Sequence, residues 1–129
     1  MKILITLVLI IAGLSAYGWY KSQPVSLCKT SESSTPYCKY VGKINKIYIN
    51  EKGLALIFLD KEFDVNSAKS FGYEANSGRA MSLDLNQGEF SKLTYETLLL
   101  AFDEESEVEL HARSVFQGHM KIDRIWVSK

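Results

Sequence analysis

Ser91–Phe102 is the one stretch with a helical period among runs that otherwise alternate or are apolar throughout, and it dictates what the remaining chain must complete. Leu98, Leu99 and Phe102 follow Tyr95 at three, four and seven positions, which lays four apolar side chains along one stripe of a 3.6-residue helix. Ser91 is placed to cap the first turn, with Phe90 and Tyr95 as a hydrophobic staple across it. The stripe predicts Leu98 and Leu99 as core residues. The acidic run Asp103-Glu104-Glu105-Ser106-Glu107 is unfavourable at a helix C-terminus, so the helix should end near Phe102.

Strands are expected on both sides of it. Tyr40–Asn50 is rich in Ile, Val and Tyr, with Gly42 marking a candidate bulge, and Asn50-Glu51-Lys52-Gly53 is a turn. Leu54–Leu59 is apolar at every position, as in a strand covered on both sides. Residues 60–76 lack a clear period and predict a short extra strand or a functional loop. In Arg79–Leu85, Met81, Leu83 and Leu85 alternate with Ser82 and Asp84. After the helix, Val108, Leu110 and Ala112 alternate with Glu107, Glu109, His111 and Arg113. Phe116-Gln117-Gly118-His119 turns the chain into Met120–Val127, whose alternation slips at Asp123-Arg124 as at a bulge. The class is mainly β with one helix. The order β-β-β-α-β-β over residues 38–129 is that of an OB-like barrel, five-stranded with its helix between the third and fourth strands.

The first twenty residues read as a signal peptide or an N-terminal membrane anchor. Met1-Lys2 is a basic start, Ile3–Ala16 is apolar apart from Thr6, Gly13 and Ser15, and small residues follow at Gly13-x-Ser15 and Ala16-x-Gly18. As an anchor, Ile3–Tyr20 is just long enough to span, with Trp19-Tyr20-Lys21 as an interfacial stop. Leu27 before Cys28 argues against a lipoprotein. Both readings place the rest of the chain outside the cytoplasm, periplasmic or secreted. There, two cysteines most simply pair, and a Cys28–Cys38 disulfide is expected. Residues 21–37 hold both prolines and a serine/threonine cluster, and read as a linker or arm from which no core can be built.

Fifteen basic residues balance fifteen acidic ones, so no global positive field exists to hold phosphates and nucleic acid is not an expected partner. The chain has no nucleophile elbow, phosphate loop, H-E-x-x-H or C-x-x-C motif. His111 and His119 are the only histidines; with Glu109 or Asp123 they would make a two-histidine, one-carboxylate metal site only if a hairpin brought them together. Surface histidines are far commoner. No metal, cofactor or enzymatic activity is expected.

Ser82-Leu83-Asp84-Leu85, Tyr95-x-x-Leu98-Leu99-x-Ala101, Val108-x-Leu110 and Ile122-x-x-Ile125 together resemble small exported bacterial OB-fold proteins, among them the B subunits of AB5-type toxins. The resemblance runs from about Tyr40 to Val127 and implies a binding module for a glycan, small molecule or protein; in the toxins, rings of five subunits bind cell-surface glycans. No glycan-contacting residue matches a position here, and the early Cys28–Cys38 pair departs from the cholera-type bridge between N-terminal arm and late strand. The OB binding surface uses the second and third strands with the 1–2 and 4–5 loops. Since the 1–2 loop is short, recognition should fall to Arg113, Phe116, Gln117 and His119, joined by Phe71 and Tyr73. The alternative is a membrane-tethered structural or assembly component. Lys92, Thr94, Glu96 and Thr97 form a polar second face on the helix, and Lys43, Lys46 and Lys52 guard the first hairpin, so a monomer or weak dimer is expected over a pentamer.

Overall fold

The alternating runs become strands, and there is one more of them than the sequence announces. A computed structural model describes residues 26–30 and 35–129. Its elements are β1 (Ser26–Thr30), β2 (Pro36–Ile49), β3 (Leu54–Leu59), α1 (Val65–Ser70), β4 (Ala80–Asp84), α2 (Glu89–Asp103), β5 (Glu107–Phe116) and β6 (His119–Ser128). The chain is mainly β, with two helices where one was expected. Residues 1–20, read as signal or anchor, lie outside the described residues; among those described, no helix is long and apolar enough to cross a membrane.

β2 organises the sheet because it is long enough to serve two neighbours. Cys38–Lys43 pairs antiparallel with β5 and Ile44–Ile49 with β3, and the register slips between Ile44 and Lys46 where one partner gives way to the other. β3 pairs antiparallel with β4, β4 runs parallel to β6 with Ser82 opposite Lys121, and β6 returns antiparallel to β5. These pairings form a ring of five strands. The sixth, β1, lies outside the ring against the start of β2, with Cys28 opposite Cys38 and bonded to it. The arm thus contributes a strand and a core residue, since Cys28 is buried. Its backbone N–H also donates to Ser67 Oγ of α1 at 3.2 Å. The bridge is compatible with an extracytoplasmic location.

Tyr40, Ile57, Met81, Leu83, Leu98, Leu110, Met120 and Ile122 fill the ring and are fully buried. β3 alternates half-buried and buried residues, with Ala55, Ile57 and Leu59 inward. In β4 the expected outward Ser82 is also buried, its hydroxyl donating to the His119 and Met120 carbonyls of the neighbouring β6, both at 3.3 Å. Residues 60–76 supply neither a strand nor an open loop. Asp64 caps α1, its carboxylate accepting from the Asn66 and Ser67 amides at 3.0 and 3.4 Å.

α2 departs most from the expected pattern. It starts after Gly88, whose φ of 82° no β-substituted residue adopts easily, and has no side-chain cap. Ser91 is not the cap but a buried residue inside the first turn. The buried line is Ser91, Thr94, Leu98 and Ala101. Leu99 and Phe102, expected beside Leu98, are 40% and 41% exposed, and Phe90 of the proposed staple is 49% exposed. Small residues on the buried line let the helix backbone sit close to the ring; Leu98 extends fully into it and Tyr95 packs half-buried against it.

Candidate functional site

Three strands combine to build one polar, aromatic cluster on the outer face of the ring. Pairing places Lys39, His111 and Arg124 in one row and Val41, Glu109 and Trp126 in the next. Tyr37 stacks on His111 with ring centroids 4.8 Å apart and planes at 25°, and Trp126 covers the imidazole from the other side at 4.4 Å. His111 is therefore only 8% exposed although it lies on the outward side of its strand, whereas Trp126 stays 48% exposed.

Charge pairs enclose the rings. The β6 register shifts between the His111–Arg124 and Ala112–Ile122 pairs, leaving Asp123 as the extra residue of a bulge at the expected slip. Its Oδ1 accepts from Arg113 Nη1 at 2.8 Å, while the Arg113 guanidinium lies 5.1 Å from the centre of the Tyr37 ring. Lys39 Nζ approaches Glu109 Oε1 at 3.6 Å, and Glu109 Oε2 lies 3.0 Å from His111 Nε2.

That contact assigns the neutral imidazole its proton on Nε2, donated to Glu109, with Nδ1 buried and unpartnered. Adding a second proton would create a buried N–H with no acceptor. Burial accordingly holds the His111 pKa below its usual value, against the opposing pull of Glu109. The sign follows: the unfolded chain takes up the proton first, so the stability from neutral His111 is complete above about pH 6.5 and is lost as pH falls through the folded-state pKa. Between pH 7 and pH 5 the parent should therefore lose more Tm than His111→Gln. Equal slopes in thermal melts at the two pH values would exclude this role.

Of the residues expected to bind, Arg113 belongs to the cluster. Phe116, Gln117 and His119 sit at the hairpin turn, about 10 Å further along β5. There Gln117 and Gly118 take φ of 51° and 77°, and His119 Nδ1 lies 2.8 Å from the Gln117 carbonyl oxygen. Phe71 and Tyr73 are half-buried against the core, and the Tyr73 hydroxyl donates to the Pro36 carbonyl. Asn76 N–H donates to Gly118 O at 2.7 Å, which ties their loop to the turn without bringing either aromatic into the cluster. His119 lies opposite Phe116, five residues along β5 from His111 and about 16 Å away, and no group of three metal-ligating side chains converges among the described residues. Tyr37, Glu109, Asp123 and Trp126 escaped the sequence reading of the binding surface; the slipped alternation at Asp123 was the one signal that pointed there.

An open cleft of about 630 Å³ lies at the other end of the hairpin, lined by Lys43, Glu104, Glu105, Ser106, Glu107, Ser128 and Lys129. It offers charges but no aromatic surface. No protein-family profile, curated protein or solved structure matches the chain.

Proposed function

We propose that the protein is an exported, non-enzymatic binding module of the OB type, and that it recognises a glycan on the outer face of β2, β5 and β6. The observation that carries this reading is the half-exposed Trp126 ring beside hydrogen-bonding side chains already held in pairs, Arg113 with Asp123 and Glu109 with Lys39 and His111. An aromatic face packs against the C–H surface of a sugar, while fixed carboxylates and a guanidinium bond its hydroxyls at little ordering cost. A small molecule or protein ligand would use the same groups. The long β2 serving two neighbours, the parallel β4–β6 closure and the helix entering before the last two strands support the OB assignment. The cross-strand disulfide supports export. We read the module as a monomer or weak dimer.

The test is a glycan array with the disulfide-intact protein, followed by titration of the best ligand. Trp126→Ala should lower affinity at least about tenfold, near 1.4 kcal/mol, with the fold kept because the side chain is half-exposed. Phe116→Ala should leave binding unchanged. Absence of any glycan ligand, or equal binding by Trp126→Ala, would remove this reading. The membrane-tethered assembly component is the second reading, favoured by the apolar residues that α2 leaves uncovered.

A further inference from the structure

Five of the nine large hydrophobic residues that stay exposed among the described residues belong to α2: Phe90, Leu93, Leu99, Leu100 and Phe102. Phe90, Leu93, Thr97 and Leu100 recur at spacings of three, four and three, which makes a narrow seam beside the buried line of Ser91, Thr94, Leu98 and Ala101. The three apolar members are 49%, 58% and 65% exposed. The Thr97 hydroxyl donates to the Leu93 carbonyl at 2.8 Å, so its polar atom is already used within the helix. Along the seam's solvent side run Glu89, Glu96 and Asp103, each seven residues from the next and each exposed. None of the three has an ion-pair partner among the described residues.

That acidic row selects the occupant. A second copy laid antiparallel on the seam would set Glu96 beside its own equivalent and Glu89 beside Asp103, with Lys92 the one basic residue of α2 to offset them. An anionic bilayer would be repelled by the same row. An apolar stripe flanked by lysine or arginine satisfies both halves of the surface. We propose that this flank of α2 docks a cationic amphipathic helix of a partner protein. The site lies on a different element from the Trp126 platform and does not depend on it.

Two short synthetic helical peptides test the proposal: both carry leucine at the seam-facing positions, one has lysine and the other glutamate at the flanking positions. Fluorescence anisotropy should show the lysine-flanked peptide binding at least about tenfold more tightly, with affinity falling as salt rises. Leu93→Ser with Leu100→Ser should abolish binding while the melting temperature stays near the parent's. Glu96→Lys with Asp103→Lys should invert the preference, so that the glutamate-flanked peptide binds better. Equal affinity for the two peptides would overturn the proposal, as would binding untouched by the leucine substitutions. So would a dimer by light scattering, or capture on phosphatidylglycerol vesicles, that Leu93→Ser with Leu100→Ser abolishes.

Discussion

Leu98→Ala should destabilise the protein by about 2–5 kcal/mol, the cost of emptying a fully buried leucine site, whereas Leu99→Ala should cost less than about 1 kcal/mol. The two residues are adjacent, and a stripe drawn through Tyr95 and Phe102 makes them equals. The structure separates them. Leu98 is the one large side chain on a buried line whose other members, Ser91, Thr94 and Ala101, are small, so no neighbour on the helix can fill the space it leaves. Leu99 turns off that line and keeps 40% of its surface in water. Urea unfolding of both variants measures the difference; similar midpoints would mean that α2 sits on the ring in a different rotation.

Gly78→Ala should be comparably severe, about 2–4 kcal/mol, for a reason that has nothing to do with cavities. A Cβ at Gly78 would lie 1.9 Å from the carbonyl oxygen of Phe63, a backbone atom that cannot swing aside. The two strands of chain are held together there because the Phe63 N–H donates to the Gly78 carbonyl at 2.6 Å. Relief requires parting them, which breaks that bond and lifts Phe63, itself buried and packed edge-on against Tyr40 at 5.6 Å. Gly88→Ala is the informative comparison. Its Cβ meets nothing within 4 Å, and only a backbone of φ 82° and ψ −159°, which is essentially glycine's alone, opposes it, so about 1–3 kcal/mol is expected, less than at Gly78. Melting temperatures of the two variants separate steric from conformational cost, and equal losses would contradict it.

The strands were legible where one face alone meets the core. Val108, Leu110 and Ala112 face inward as their alternation demands, and Asp123 is a bulge where the alternation slips. Pattern failed where a second surface intervened. Ser82 reads as outward until its bonds to β6 are known, and β1 is hidden because its five residues gain their strand character from pairing with β2 rather than from any apolar rhythm. In α2, apolar residues occupy so many positions that a wheel offers several faces. The choice among them fell to serine, threonine and alanine, which a hydrophobic count ignores. The cluster around His111 was illegible for a related cause. Tyr37, His111 and Trp126 lie on three strands, and their meeting depends on register between segments that are far apart in sequence.

The parallel seam between β4 and β6 joins residue 82 to residue 121, and the β2–β5 pairing joins 38 to 112. Both close loops of dozens of residues, so the loop entropy of long-range closure must be met before the interior is rewarded. A chain in which β6 is not yet paired has an open sheet with two unsatisfied edges, β4 and β5, and no sealed interior. Docking of β6 therefore closes the ring in one step, and until it happens the core has no lid on that side.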